Sequence, residues 1–249
     1  MHNCKPRATP CELKLNLSSD ATCKCSLKYR EVVGSLLYAM TCTRPDLCLI
    51  VTVLSQYLAN PSREHCVALK HVLRYVKGSL HYELCFTKSD NGLQLTEFSD
   101  ASWGSSEDRK STTGYCFSLS KNGPLISWKS KKQQTVALSS CEAEYMALAA
   151  SVQEGLFVTH LLHDIDANCV YKPMILFEDN QGTIALVNNP VHHQRSKHID
   201  IKYHFIRDHC MQGNVNVVYM PSAEMVADIF TKPVSKCKQE QFKDFVFGK

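Results

Sequence analysis

Leu93-Gln94-Leu95-Thr96-Glu97-Phe98-Ser99-Asp100 is the stretch from which the fold is read. Apolar and polar residues alternate as far as the aspartate, the period of a half-buried strand that delivers an acidic group at its end. Working outward, Tyr82-Glu83-Leu84-Cys85-Phe86 reads as a strand across a turn at Asp90-Asn91-Gly92. Further strands are predicted over 114–119 and 125–129, joined by Lys121-Asn122-Gly123-Pro124. A long helix should run from about Ser140 to about Leu162, then a strand over 174–177 and a helix over 181–187. A helix at 199–209, a strand at 215–219 and a helix near 224–230 complete the pattern. Three consecutive strands, a long helix, a strand, helices and a last strand make an α/β domain with a mixed five-stranded sheet flanked by helices.

Asp100 has three acidic companions at similar junctions. Glu144 lies inside the long helical run, Asp179 closes Met174-Ile175-Leu176-Phe177-Glu178, and Asp228 opens a short segment after Pro221. Carboxylates at strand ends and helix starts can meet at one sheet edge, where four of them form a hard-oxygen cage for Mg²⁺. Hydrolysis of a phosphodiester needs an activated water and a stabilised leaving oxygen, and two Mg²⁺ ions about 4 Å apart serve both needs. Mn²⁺ is an acceptable substitute for such a ligand set. Asp100 is expected to bridge both ions, Glu144 and Asp179 to complete the one nearer the attacking water, and Asp228 to hold the other. A single aspartate at a strand end is commonly a cap or a turn residue. The reading rests on all four together.

The chain has 249 residues, 44% hydrophobic and 21% charged, with a net charge of +4. That is enough for a sizeable core and permits a nucleic-acid partner without demanding one. The thirteen cysteines are scattered and odd in number, with no Cys-x-x-Cys pair, so they read mostly as reduced thiols. His193 and His198, and also His204 and His209, have a His-x₄-His spacing, but no paired-cysteine motif accompanies them to make a zinc site. The N-terminus has no apolar signal core, and the run Leu47 to Leu54 is too short to span a bilayer, which predicts an intracellular, cytoplasmic chain with no membrane partner. Residues 1–27 read as an irregular lead-in. Residues 28–92 carry three apolar helical faces: Val33, Leu36, Leu37 and Met40; Leu47, Ile50, Val51, Leu54 and Leu58; and Leu69, Val72, Leu73 and Val76. A catalytic domain is expected over 93–233 and a tail over 234–249.

The residues around the acids carry a resemblance. Phe98-Ser99-Asp100-Ala101-Ser102-Trp103, Asp108-Arg109-Lys110-Ser111-Thr112-Thr113-Gly114-Tyr115 and Ser139-Ser140-Cys141-Glu142-Ala143-Glu144-Tyr145-Met146-Ala147 closely resemble the ribonuclease H domain of copia-type LTR retrotransposons. So do Glu178-Asp179-Asn180-Gln181, residues 197–207, and Ala227-Asp228-Ile229-Phe230-Thr231-Lys232-Pro233, in the family's order. Residues 29–38, Thr43-Arg44-Pro45-Asp46 and Leu73-Arg74-Tyr75-Val76-Lys77-Gly78 resemble the connection segment at the end of reverse transcriptase. The resemblance implies a ribonuclease H-like fold preceded by a small helical connection segment, at the C-terminal end of a Pol polyprotein. It also implies cleavage of the RNA strand of RNA–DNA hybrids, the polymerase part of the parent as a partner, and a virus-like particle as the setting. Asp100, Glu144, Asp179 and Asp228 match the family's metal-binding carboxylates, with Glu142 as second choice to Glu144. No Asp-Asp dipeptide occurs, which excludes a polymerase site. Residues Tyr219 to Ala227 contain no histidine to serve as a proton shuttle there. Glu97 and Cys66 depart from the family's pattern, and an unpaired carboxylate at 97 would cost a few kcal/mol if that face of the strand is buried.

Phosphate contacts for grip are expected from Arg109 and Lys110 in the turn after the first strand, and from Lys129, Lys131 and Lys132. Ser139 and Ser140 either cap the Glu144 helix or touch 2′-hydroxyls. Two rival classes stand beside the nuclease. One is a catalytically silent nucleic-acid-binding remnant, or a scaffold for the missing polymerase. The other is a transposase or integrase, against which the order Asp-Glu-Asp-Asp argues. Oligomeric state is not readable from the sequence.

Overall fold

In the computed structural model, β1 (Thr96–Ser102), β2 (Thr112–Ser118), β3 (Leu125–Lys132), β4 (Met174–Glu178) and β5 (Val215–Tyr219) form one sheet in the order β3-β2-β1-β4-β5. The described residues are 3–15, 17, 28–88, 93–120, 123–166, 173–188 and 197–248, without the side chains of 197–201 and 203. β1–β2 and β2–β3 are antiparallel, whereas β1–β4 and β4–β5 are parallel. The expected mixed five-stranded sheet flanked by helices is therefore present. Parallel pairing demands crossover connections. These are α4 (Ser140–Ile165) before β4, and α5 (Gln181–Asn188) with α6 (Lys197–Met211) before β5.

Strand parity divides the core. Leu95, Phe117 and Leu176 face α4, where they pack against Tyr145, Leu148 and Val152. Phe98 and Cys116 face the other side and join a second cluster built from the front helices α1 (Tyr29–Cys42), α2 (Cys48–Ser55) and α3 (Arg63–Gly78). Each fully buried large apolar side chain contributes roughly 1.5–3 kcal/mol, so the front segment is held to the sheet by burial. Arg44 and Asp46, from the Thr43-Arg44-Pro45-Asp46 string, form a buried bidentate pair, and Tyr75 Oη donates to Asp46 Oδ2 at 2.7 Å. That latch ties the single 3₁₀ turn Pro45–Leu47 to the end of α3.

Several expectations need correction. Residues 82–86 form no strand; Cys85 N–H donates one backbone bond to Phe247 O instead of joining a ladder. The turns at 90–92 and 121–122 lie outside the described residues, as do His193 and the side chain of His198. Residues 234–249, read as a tail, contain α8 (Lys236–Phe247), whose Phe242, Val246 and Phe247 are buried in the front cluster. Its sequence looked tail-like because Lys, Gln and Glu dominate its first half and the aromatics crowd its end. The expected helix over 224–230 shrinks to α7 (Asp228–Thr231), preceded by turns. Among ten cysteines described, nine are free thiols and Cys66 forms a disulfide.

One glycine decides how close α7 comes to the sheet. Gly114 pairs with Asp100 across β1 and β2, and a Cβ there would lie 2.5 Å from Thr231 Cγ2 and 3.1 Å from the Phe230 carbonyl carbon. Gly114→Val is expected to lower stability by about 2–4 kcal/mol through overpacking and to push α7 off the sheet. Urea unfolding measures the loss; an unchanged midpoint would show that α7 has room to yield.

Candidate active site

The site lies where β1, β4, α4 and α7 meet. Asp100 is in the body of β1 rather than at its end, because antiparallel pairing with β2 continues to Ser102–Thr112. Its carboxylate is buried and accepts a hydrogen bond from Thr231 Oγ1 of α7. Glu144 stands one turn into α4, also buried. Asp179 follows β4 directly and is half-buried. One oxygen from each of Asp100, Glu144 and Asp179 lies within 4.8 Å of the other two.

The local sequence explains this placement. Ser139 caps α4 by accepting from Glu142 N–H at 3.1 Å, and Glu142 Oε2 accepts from Leu138 N–H at 2.7 Å. The Ser-x-x-Glu spacing thus works as a helix-start signal, which leaves Glu144 rather than Glu142 as the residue aimed at the site. Gln133 Nε2 donates to Thr113 Oγ1 and Ala143 O, fastening the first turns of α4 to β2. Asn180 Oδ1 accepts from Thr183 N–H and starts α5, so Glu178-Asp179-Asn180-Gln181 is a strand end, a site residue and a cap in sequence.

Three acids in so small a space repel. Burial, with the charges of Asp100, Glu178 and Asp179, pushes Glu144 up to about 11. Burial likewise raises Asp100 to about 6, although the Lys232 ammonium and the Thr231 hydroxyl oppose the rise. Glu144 Oε2 is buried with no hydrogen-bond partner, as is Glu178 Oε2. An orphaned carboxylate oxygen facing two further carboxylates fits a divalent cation, whose charge and oxygen preference match this donor set.

Asp228 is not part of this group of three. Lys232 Nζ lies 2.7 Å from Asp228 Oδ1 and 3.8 Å from Asp100 Oδ1, and Lys238 Nζ of α8 pairs with Asp228 Oδ2. Two ammonium groups thus compensate Asp228, and Lys232 links it to Asp100. Sequence reading missed both lysines, together with Glu178, which is fully buried and raised well above the usual carboxyl range by burial. Lys232 had a signal, its i,i+4 spacing from Asp228 on one helical face; Lys238 had none without α8. Lys232→Met is expected to enlarge the rise in Tm produced by Mg²⁺, because a competing ammonium is removed. Equal rises in the two proteins, followed by thermal melts with Mg²⁺ and with EDTA, would count against this competition.

The basic residues divide. Lys129, Lys131 and Lys132, with Lys202 of α6, line a groove of about 650 Å³ along α4. Lys132 Nζ is also 2.9 Å from Asp108 Oδ1, and Lys110 pairs more loosely with the same carboxylate at 3.8 Å. Arg109 is exposed in the β1–β2 turn with a positive φ of 60° and does not line the groove. Ser140 is exposed at the first position of α4. His209, from one of the two histidine spacings, stacks edge-on against Phe205.

The sheet order and the helices around it are the mixed five-stranded arrangement expected from the sequence. A solved foamy viral protease-reverse transcriptase in complex with RNA/DNA hybrid shares the fold, with a TM-score of 0.51 at 12% identity over 83% of this chain and 26% of that one. No family model matches the chain. It is 39% identical over 99% of its length to the retrovirus-related Pol polyprotein from transposon TNT 1-94 of Nicotiana tabacum. To that from transposon RE2 of Arabidopsis thaliana it is 41% identical over 97%. The chain's homologues are retrovirus-related Pol polyproteins from plant copia-type transposons. The chain spans 19% and 16% of the length of those two relatives.

Proposed function

We propose that this chain is a metal-dependent endoribonuclease that cuts the RNA strand of RNA–DNA hybrids during retrotransposon reverse transcription. The observation that carries the reading is the convergence of Asp100, Glu144 and Asp179 oxygens within 4.8 Å of one another. These three residues would hold a divalent cation, Mg²⁺ or Mn²⁺. Once bound, it supplies charge neutralisation at the phosphate and activation of a water.

The chain's own groups then do the rest. Thr231 orients the Asp100 carboxylate, and the α4 cap fixes the angle at which Glu144 enters. Burial and the neighbouring acids favour the protonated form of Glu144, and a cation held there would favour its release. Lys232 links Asp100, one of the three acids, to Asp228. That link supports a second ion, which Asp100 and Asp228 would hold. The lysine-lined groove along α4 supports a phosphate-backbone partner. The family supports hybrid as the substrate and the polymerase part of a Pol polyprotein as the neighbour. Among the described residues, no helix is long and apolar enough to cross a membrane.

The test is incubation with a hybrid carrying a label on either strand, with Mg²⁺ or with EDTA. The expected result is a shortened RNA strand and an intact DNA strand, with Mg²⁺ alone. Tight binding of the hybrid with no cutting in Mg²⁺ or Mn²⁺ would replace the enzyme with a silent remnant.

A further inference from the structure

The two lysines beside Asp228 are held in different ways. Lys232 is 45% exposed, and its ammonium pairs with Oδ1 of Asp228 and, more loosely, with Oδ1 of Asp100. Lys238 is 23% exposed. Its ammonium pairs with Asp228 Oδ2, donates to Ser222 O at 2.9 Å and stands 5.5 Å from the centre of the Phe242 ring. Its backbone is fixed too, because Lys238 N–H donates to Ser235 Oγ in the first turn of α8. One turn on, Gln241 Nε2 donates to Ala223 O at 3.3 Å. α8 therefore grips two successive carbonyls of the turn that leads into α7. Farther along, Phe242, Val246 and Phe247 root α8 in the front cluster, and Phe245 meets Phe98 of β1 edge-on at 5.1 Å. α7 itself is a single turn whose N-cap, Ala227, supplies no capping side chain.

We propose that Lys238 is a positioning residue for Asp228: it ties Oδ2 to α8 and leaves Oδ1 for the second ion. This rests on the nuclease reading. The division follows from which oxygen each lysine holds. An ion shared by Asp100 and Asp228 competes with Lys232, which contacts an Oδ1 of each. Being half-exposed, Lys232 can swing into solvent. Lys238 holds the opposite oxygen and can stay. A carboxylate tied through one oxygen offers the other in a set direction, the service that outer contacts give to metal ligands. Mg²⁺ gains from it, because this ion demands near-ideal octahedral geometry. Lys238 is also ill placed to grip substrate. An ammonium has three donors, and Asp228, Ser222 and the Phe242 ring surround this one. Phosphate grip falls instead to the lysine groove along α4.

Lys238→Met keeps an apolar stem against Phe242 and removes the ammonium. With Mg²⁺ and RNA–DNA hybrid, kcat should fall about tenfold, since a small misplacement of a group at the reacting centre has effects of that order or larger. KM should stay within about twofold of native, the loss being one of geometry rather than grip. Lys238→Arg, which restores a cation able to reach Asp228 and Ser222, should keep kcat within about threefold of native. Mn²⁺, larger than Mg²⁺ and less exacting in geometry, should recover part of the rate that Lys238→Met loses. Thermal melts accompany each assay, so that kcat is compared between folded proteins. An unchanged kcat in Lys238→Met overturns the proposal. So does a raised KM at constant kcat, which would make Lys238 a phosphate contact. Equal losses in both variants, with either ion, would mark simple packing and overturn it as well. Each of these outcomes leaves the nuclease reading standing, because the native chain cuts. If the native chain does not cut hybrid, the nuclease reading fails and the role of Lys238 falls with it.

Discussion

Replacing Asp100 by Asn is expected to lower RNA cleavage by about 10³-fold or more, while the folded protein becomes no less stable without metal. Asparagine keeps the shape and can still accept the Thr231 hydroxyl, so only the charge is lost. On the proposed reading that charge would hold the cation jointly with Glu144 and Asp179, and two remaining carboxylates would hold Mg²⁺ poorly. In the metal-free protein the same charge is a burden. Burial raises the Asp100 pKa from 3.8 to about 6, so at neutral pH the folded state carries an anion it disfavours. Removing it should stabilise the metal-free fold by about 1–3 kcal/mol and abolish the rise in Tm expected of the native chain with Mg²⁺. An inactive variant that melts no earlier, but no longer responds to Mg²⁺, is a signature misfolding cannot imitate. Robust cutting by the Asn variant would remove Asp100 from the site.

The second large effect is expected at Glu97, away from the cleavage chemistry. Its side chain is fully buried on the α4 face of β1, and neither carboxylate oxygen has a hydrogen-bond partner. The Ser151 hydroxyl donates to Leu148 O at 3.0 Å and only partly opposes the effect of burial on Glu97. Burial therefore raises Glu97 to about 8 from 4.5, with the Glu154 charge adding to it. A carboxyl whose pKa is raised by folding contributes its full stability below the unfolded value and loses it as pH rises through the folded value. For Glu97 that window runs from about pH 4.5 to about pH 8. Glu97→Gln removes the titration, so the variant and native protein should be alike near pH 4 and diverge steadily above. By pH 9 the variant should be more stable by roughly 3–5 kcal/mol. Urea melts at pH 4.5, 7 and 9 measure the difference. Parallel pH profiles would show that Glu97 is charged and paired after all.

Much of the fold could be read because strand and helix periods are local signals. β5 occupies the residues that alternation gave it, 215–219, and α4 begins at Ser140, where the Ser139-to-Glu142 spacing announces a cap. Parity also served well, since it placed Glu97 on the face opposite Asp100. The failures occur where long-range packing decides. Tyr82–Phe86 alternates like a strand yet leans on the end of α8 through a single backbone bond. The aromatic end of α8 is buried in the cluster shared by the front helices and the sheet, partners no local window contains. For the site, the strings around Asp100, Glu144 and Asp179 named residues that the fold brings together. Asp228 is different, because its environment is written in Lys232, Lys238 and Thr231 and in the close approach allowed by Gly114. Those contacts join three elements far apart in sequence.

Crystals of the chain soaked in Mn²⁺ and measured at the manganese absorption edge test the central claim most directly. The expected result is an anomalous peak bonded to oxygens of Asp100, Glu144 and Asp179. A fully loaded crystal with no peak there, and with Lys232 still on Asp228, would contradict it.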